Sequence, residues 1–313
     1  MRRPRTVLLG TISLIVMLGF FPLASRANGI FYSLDSEGLE CKNGAFRLML
    51  GKDTGPHYRF FDRITNSTEY HLRLIRLFEF QDVNGDGIYS HSSDEILPPP
   101  VGLQGGDWVF KGFNYNEVNG SIQSLQFHLN GSSFSPAQSS LRISLRHHID
   151  ITNNSVVKFD IGISGWQWTS AENALCLAAI VGSSNRGNDS ISTPLTTQQE
   201  NRISFESAFL TYPPNVTFNS NSAGVNVSLG ELPNQGDGQG VLFCFPNFGG
   251  DELFYDPTFG LEELSSTTSI TSTTPITSTP TPDGGVLGTE QFLILAVGTT
   301  VVVGILVLTA SRD

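Results

Sequence analysis

Residues 141–151, LRISLRHHIDI, show the clearest alternation of apolar and polar side chains in this 313-residue chain. One side of the stretch carries Leu141, Ile143, Leu145, His147, Ile149 and Ile151. The other side carries Arg142, Ser144, Arg146, His148 and Asp150. Because successive side chains of a β-strand point to opposite faces of a sheet, the pattern predicts a strand with one buried face.

A second strand of the same kind follows directly. Asn153 and Asn154 are typical turn residues, and the alternation returns at Val157, Phe159, Ile161 and Ile163. Two alternating runs separated by a short polar turn predict an antiparallel hairpin.

The period of two recurs through residues 28–264, whereas helical periodicity of useful length is absent there. Further predicted strands are 44–50, 57–63, 70–81, 107–115, 121–129, 174–181, 203–211, 224–229, 240–245 and 252–255. Many short strands divided by Gly, Asn, Ser and Pro predict an all-β fold, an antiparallel β-sandwich over residues 28–264. The polar segment 183–201 is a candidate long loop or domain boundary, and we favour the loop.

Residues 1–27 have the parts of a secretory signal peptide. Basic residues precede an apolar run at 7–23, and the small-residue pattern ASRA at 24–27 is typical of a cleavage site. Cleavage after Ala27 would leave the following residues exported. The alternative is an uncleaved membrane anchor, since the apolar run exceeds the usual ~7–15 residues.

The other end predicts a membrane anchor. Residues 292–310, FLILAVGTTVVVGILVLTA, carry no charge and have the length of one transmembrane helix. Residues 265–291 form a Ser/Thr/Pro-rich stalk before it, and 311–313 form a short cytoplasmic end. A lipid anchor is the alternative, because the small residues at 283–285 precede a spacer and an apolar tail. The ends together predict a single-pass cell-membrane protein with an extracellular N-terminal domain.

The charge balance excludes one class of partner. The chain has 18 basic and 29 acidic residues, for a net charge of −11, and loss of residues 1–27 removes four of the arginines. Nucleic acid is therefore not an expected partner, because binding phosphates needs clustered Lys and Arg. Sequons that predict a glycoprotein occur at Asn66, Asn119, Asn130, Asn153, Asn188, Asn215 and Asn226.

Three cysteines, Cys41, Cys176 and Cys244, leave the disulfide pattern open. Outside the cell, two of them could pair and leave one over. Cys176 and Cys244 lie in apolar, strand-like runs, which fits buried neighbours on adjacent strands. Free buried thiols fit the same runs equally well.

The segment 82–90, DVNGDGIYS, places oxygen side chains at alternate positions and a glycine, Gly87, at the sixth. Calcium prefers six to eight oxygen ligands at about 2.3–2.6 Å. The predicted ligands are Asp82, Asn84, Asp86, the Ile88 carbonyl, Ser90, and Asp94 or Glu95 as closing residue. This D-x-N-x-D-G pattern resembles the calcium loops of the EF-hand and dockerin type. The resemblance covers about a dozen residues and implies a bound Ca²⁺.

Two features depart from the EF-hand pattern. Tyr89 stands at position eight, where an aliphatic residue is usual, and Ser93 stands at position twelve. The flanking segments are strand-like or turn-like, so we expect a structural calcium loop between β elements. The alternative is an Asp/Asn/Gly-rich turn that binds nothing, since those residues also dominate turns for backbone reasons.

Catalytic motifs are missing from the sequence: it has no G-x-S-x-G, H-E-x-x-H or phosphate-binding glycine loop. Trp166 and Trp168 share one strand face and could stack on sugars, although core packing explains at least one of them more simply. Six scattered histidines favour surface or core roles over a zinc site.

A signal, a strand-rich exterior with D-x-N-G-D-G, a Thr/Pro stalk and one helix resemble the cell-surface proteins of archaea that have threonine-rich stalks. The segment FYDPTFGLEEL at 254–264 is similar to the closing strand of such exteriors. The leading hypothesis is a calcium-stabilised surface protein in envelope structure or adhesion, with surface glycans or envelope proteins as partners. The alternative is a surface-anchored hydrolase acting on glycans.

Overall fold

The residues that the structure describes fold into an all-β architecture. A computed structural model describes residues 29–35, 38–43, 46–51, 55–62, 67–150, 156–185, 190–231 and 237–262. Apart from 3-10 turns at Leu103–Gly105 and Pro136–Gln138, these residues form no helix. Accordingly, this part of the chain contains no helix long and apolar enough to cross a membrane.

The described residues form twenty strands in chain order. They are β1 Phe31–Leu34, β2 Gly38–Lys42, β3 Phe46–Gly51, β4 His57–Asp62, β5 Thr68–Gln81, β6 Glu95–Gly102, β7 Asp107–Val118, β8 Ser121–Ser132, β9 Arg142–Asp150, β10 Val156–Ser164, β11 Ala174–Asn185, β12 Thr196–Gln199, β13 Arg202–Phe205, β14 Ala208–Thr211, β15 Asn215–Phe218, β16 Asn221–Gly224, β17 Asn226–Gly230, β18 Gln239–Phe245, β19 Leu253–Tyr255 and β20 Thr258–Leu261.

The strands form two antiparallel sheets. Sheet one has nine strands in the order β1-β2-β3-β4-β5-β11-β18-β17, and β6 also pairs with β5. Sheet two has eleven strands in the order β12-β13-β14-β20-β10-β19-β15-β16, and a branch of β9, β8 and β7 continues from β10. The prediction of an all-β antiparallel sandwich is therefore confirmed.

The hairpin predicted from residues 141–163 is present as β9 and β10. Leu145 lies opposite Ile161, and His147 lies opposite Phe159. The inward side chains of both strands are buried, whereas the neighbouring Arg146 is exposed. His147 and His148 consequently face opposite sides of sheet two.

Aromatic side chains from both sheets meet in the main core. The Phe60 ring on β4 lies 4.5 Å from the Phe259 ring on β20, edge to face. Tyr58, also on β4, stacks on Phe159 of β10 at 5.1 Å. The Tyr58 hydroxyl lies 2.8 Å from Nε2 of the fully buried His147, so a hydrogen bond joins the two sheets through the core.

A second, smaller apolar cluster lies on the other face of sheet one. We call it the outer cluster, and its buried members are Phe78, Phe80, Tyr89, Ala174, Cys176, Ala178, Leu242 and Cys244. Tyr89 comes from the connection between β5 and β6, so this connection folds back over the sheet. Strands β5, β11 and β18 are thus buried on both faces at this position.

Two predictions about individual segments are wrong. Residues 203–211 form two strands, β13 and β14, because Glu206 adopts a left-handed φ of 54° and turns the chain. Residues 183–201 are not one long loop, since β11 extends to Asn185, Ser183 pairs with Ser192, and β12 follows. The described residues all belong to one compact unit, so this segment is not a domain boundary.

Several predictions fall outside the described residues. These are the signal peptide at 1–27, the stalk at 265–291, the transmembrane helix at 292–310 and the cytoplasmic end at 311–313. The lipid-anchor alternative falls there as well. All of them stay predictions.

Candidate functional site

The predicted calcium loop is the connection between β5 and β6, residues 82–94. Asp82 organises its first half, because its Oδ1 accepts the Gly85 N–H at 2.8 Å and its Oδ2 accepts the Gly87 N–H at 2.7 Å. Gly85 and Gly87 have φ of 74° and 71°, in the left-handed region that favours glycine. The alternation of oxygen residues and glycines in the sequence therefore produces one tight turn around the Asp82 carboxylate.

Asn84 and Asp86 complete this turn. Asn84 Oδ1 accepts the Asp86 N–H at 3.1 Å, and Asn84 Nδ2 donates to Asp86 Oδ2 at 2.8 Å. Asp86 Oδ1 accepts the N–H of Ile88 at 2.7 Å. Three of the predicted ligand side chains thus lie within one hydrogen-bonded turn, and Asn84 and Asp86 are exposed.

Asp94 closes the loop. Its Oδ1 accepts the Val83 N–H at 3.2 Å and its Oδ2 accepts the Ser90 N–H at 2.7 Å, so one carboxylate joins the two ends of the connection. Glu95 is exposed at the start of β6, where it pairs with Gln81. The structure therefore favours Asp94 over Glu95 as the closing residue. The Ser90 hydroxyl contacts that of Ser92 at 3.0 Å.

The donor set fits a hard cation in its chemistry. Each carboxylate oxygen that accepts one N–H keeps a further lone pair that a cation can use. Within the described ranges, however, no three His, Cys, Asp or Glu side chains converge on one metal position. The loop oxygens lie instead against backbone N–H groups of the loop itself.

The loop is attached to sheet one by its apolar and amide contacts. The Tyr89 ring packs edge to face on Phe78 and Phe80, at centroid distances of 5.0 and 5.6 Å. Asn226 on β17 donates from Nδ2 to the Asp86 carbonyl at 3.1 Å. An aromatic at loop position eight, which departs from the EF-hand pattern, therefore has a role here: it anchors the loop in the outer cluster.

A buried carboxylate that sequence reasoning missed lies on the core face of β5. Glu79 is 2% exposed and accepts hydrogen bonds from the connection between β10 and β11. The donors are Trp166 Nε1, Thr169 N, Thr169 Oγ1, Ser170 N and Asn173 Nδ2. Burial raises the pKa of Glu79, but the hydrogen bonds from Asn173, Thr169 and Trp166 outweigh it and leave the pKa lowered. The carboxylate thus fastens this connection to sheet one.

Two histidines that are distant in sequence meet on the outer face of sheet one. His57 Nε2 lies 2.9 Å from His71 Nδ1, and His71 Nε2 lies 2.8 Å from the Ser184 hydroxyl. Burial, helped by His71, Arg73 and Arg59, lowers the pKa of His57 to about 3. Burial together with Arg59 and Arg73 lowers the pKa of His71 to about 4.

These contacts resemble those of a serine that is activated by a histidine base, but the pKa of His71 does not suit that role. A general base works best when its pKa lies near the operating pH, and the pKa of His71 is far below neutrality. Ser184 is also buried, at 6% exposure. We therefore interpret the three residues as a polar network that is paired within the sheet.

The tryptophans do not line an open sugar-binding face. Trp166 is buried in the main core at 5% exposure, which confirms the core interpretation for this residue. Trp168 is partly buried against Phe248, at a centroid distance of 5.2 Å, and its Nε1 donates to the Gly249 carbonyl.

A cavity of about 950 Å³ lies beside β12, β13 and β14, and two carboxylates, Glu200 and Asp256, line it. Asp256 Oδ2 lies 2.9 Å from Lys158 Nζ, so it is ion-paired. Trp166 and Trp168 are not among the described residues that line this cavity. The arrangement that we would expect of a glycan hydrolase, paired carboxylates in a tryptophan-lined groove, is therefore not present at this cavity.

Comparison with known proteins gives no family. No protein-family model and no curated protein matches the chain. Among solved structures, the chain is similar to the heparan sulfate lyase HepC from Pedobacter heparinus, at 9% sequence identity and a TM-score of 0.34. The match covers 76% of this chain but 36% of the lyase chain. At this TM-score, the similarity supports no conclusion about function.

Proposed function

We propose that the chain is a membrane-anchored extracellular β-sandwich protein that serves cell-envelope structure or adhesion, and that calcium in the 82–94 loop stabilises it. The exterior location rests on the signal-like residues 1–27 and the apolar residues 292–310. The protein would bind surface glycans or other envelope proteins. The archaeal resemblance is part of this proposal and rests on the same sequence features.

The observation that carries the calcium part is the arrangement of Asp82 and Asp94. Asp82 accepts two backbone N–H groups of its own turn, and Asp94 accepts one from Val83, near the start of the connection, and one from Ser90. Two carboxylates are thereby oriented within the same loop as the exposed Asp86, and the lone pairs that they keep would be available to a divalent cation.

The stabilisation would be transmitted to the sandwich. The loop rests on sheet one through Tyr89 and Asn226, so an ion that orders the loop also orders the cover of the outer cluster. Outside cells calcium is abundant, so weak binding with a Kd of about 10⁻⁴–10⁻³ M is sufficient. At ten times its Kd, calcium would stabilise the folded state by about 1.4 kcal/mol.

Thermal melting tests this proposal. Calcium at ten times its Kd should raise the Tm of the full chain in detergent by about 3–6 °C over a sample with chelator, since about 1 kcal/mol corresponds to about 2–4 °C at this size. The variant Asp82→Asn with Asp86→Asn should lose the calcium response. Glu95→Gln is the matched control, because it removes a charge next to the loop without touching its hydrogen bonds. Equal melts of the unmutated chain with and without calcium would remove the calcium part of the proposal.

A hydrolase function has no specific observation in its favour within the described residues. The buried Glu79 uses both oxygens to hold the β10–β11 connection, and Trp166 is in the core. We therefore do not propose an enzymatic activity.

A further inference from the structure

The sequence left the disulfide pairing open, and the position of two cysteines in the outer cluster bears on it. Cys176 on β11 and Cys244 on β18 lie directly opposite each other in the antiparallel register. Both residues are buried, at 0% and 2% exposure. Both are free thiols in this structure, and burial together with the neighbouring Cys244 raises the pKa of the Cys176 thiol.

The third cysteine cannot join this pair. Cys41 on β2 belongs to the main core, on the inner face of sheet one. Cys176 and Cys244 belong to the outer cluster, on the other face of the same sheet. Three cysteines allow three pairings, and the fold brings together the residues of one of them, Cys176 with Cys244.

The register is compatible with a bond between the two sulfurs. Directly opposed residues of antiparallel strands have Cα atoms about 4.5–5.5 Å apart, inside the range of about 4.4–6.8 Å that disulfides span. Their Cβ atoms, about 4.5–5.5 Å apart in such pairs, would have to approach to about 3.5–4.5 Å. Small residues flank Cys176 on its face of β11, namely Ala174 and Ala178, and leave room for this adjustment.

We propose that Cys176 and Cys244 are a modification site, where the exported protein carries a cross-strand disulfide, and that Cys41 stays a thiol. The two cysteine thiols lose two hydrogens, as two protons and two electrons, and one S–S bond forms. The oxidant is a disulfide, of a small molecule or of a thiol–disulfide exchange protein, and it is reduced to two thiols. One cysteine thiolate attacks this disulfide and releases the first thiolate. The second cysteine then displaces the other thiolate from the mixed disulfide.

The 82–94 loop lies over Cys176 and Cys244 and so determines at which stage of folding the disulfide forms. Tyr89 of the loop lies on the outer cluster, and its backbone N–H donates to Cys244 Sγ at 3.4 Å. Burial raises the pKa of the Cys176 thiol, so the reactive thiolate is scarce in the folded chain. Oxidation therefore belongs to the stage of folding before the loop closes, and the finished bond is shielded from reductants in solution.

Thiol counting tests the proposal. Thiols in intact cells are blocked with an alkylating reagent, and the full chain is purified and denatured under alkylating conditions. Its mass is then measured by mass spectrometry before and after reduction. We expect one alkylated cysteine before reduction, which peptide mapping assigns to Cys41, and two more after it. A peptide that contains Cys176 should be linked to one that contains Cys244 in the unreduced digest. Three alkylated thiols before reduction, or a linkage that includes Cys41, would overturn the proposal.

Matched variants make the count independent of folding defects. Cys41→Ser should leave no reactive thiol before reduction and two after it, whereas Cys176→Ser should leave two thiols before reduction. If Cys41→Ser showed two thiols without reduction, the pair would be reduced in the cell and the proposal would fail. The result does not depend on calcium, so it separates this inference from the calcium proposal.

Discussion

Replacing Glu79 by Gln tests a buried carboxylate that accepts hydrogen bonds from five donor atoms. The substitution keeps the size of the side chain and the Oε1 acceptor, which holds Thr169 Oγ1 at 2.6 Å. It replaces Oε2, which accepts Trp166 Nε1 at 3.3 Å and Thr169 N at 3.1 Å, with an amide that donates toward these donors. Thr169 N keeps its second acceptor, Oε1, at 3.0 Å. One charge-assisted hydrogen bond, worth about 1.5–3 kcal/mol, is lost, and the remaining bonds become neutral ones.

We expect the free energy of unfolding to fall by about 3 kcal/mol, which combines the lost bond with the weakening of those that remain. For a domain of this size, the Tm should fall by about 6–12 °C. Glu172→Gln is the matched control, because it removes the same charge from an exposed position of the same connection. Differential scanning calorimetry of both variants at pH 7 measures the difference.

The loss of stability in Glu79→Gln should also depend on pH. The pKa of Glu79 is lower in the folded protein than its usual value of about 4.3, so its contribution to stability is present above that value. The contribution is lost as the pH falls through the folded-state pKa. The Tm gap between the unmutated chain and Glu79→Gln should therefore narrow in acid. A gap under about 1 °C at pH 7, against the 6–12 °C expected, or an unchanged gap at pH 3, would refute the role assigned to Glu79.

Two further predictions concern the contact between Tyr58 and His147. Tyr58→Phe removes the hydroxyl that lies 2.8 Å from His147 Nε2 and should lower the free energy of unfolding by about 1–3 kcal/mol in urea titrations; an unchanged midpoint and slope would contradict this. Burial lowers the pKa of His147 to about 3, so the unfolded chain binds a proton below about pH 6.5 that the folded chain does not. As the pH falls from about 6.5 to about 3, this residue alone should lower the free energy of unfolding by up to about 1.4 kcal/mol per pH unit. His147→Gln should reduce this dependence of stability on pH, whereas the exposed His91→Gln should not.

The sequence was sufficient for the parts of the fold that have one buried face. The hairpin of β9 and β10 was predicted because its inward residues, such as Leu145 and Ile161, alternate with polar ones. The loop at 82–94 was predicted as a connection between β elements because its Asp, Asn and Gly residues form a turn whether or not an ion is bound. The cross-strand neighbours Cys176 and Cys244 were foreseen as one of two alternatives.

The rest required contacts between distant residues. Strand β11 is buried on both faces, so its sequence does not alternate and gives no sign of the outer cluster. Glu79 lies between Phe78 and Phe80 like a solvent-facing residue of a half-buried strand, but its partners are 87–94 positions away in the chain. His57 and His71 meet through the pairing of β4 with β5. Strand β6 contains three consecutive prolines, which suit its place as an outer strand paired only with β5 among the described strands.

The location of the sandwich is the claim on which the proposed function depends most directly. A protease added to intact cells that make the full chain, followed by immunodetection of an epitope inserted near residue 262, measures that location. The account predicts that the epitope is lost from intact cells while a cytoplasmic marker protein survives. An epitope that survives in intact cells and disappears only after the cells are lysed would contradict it.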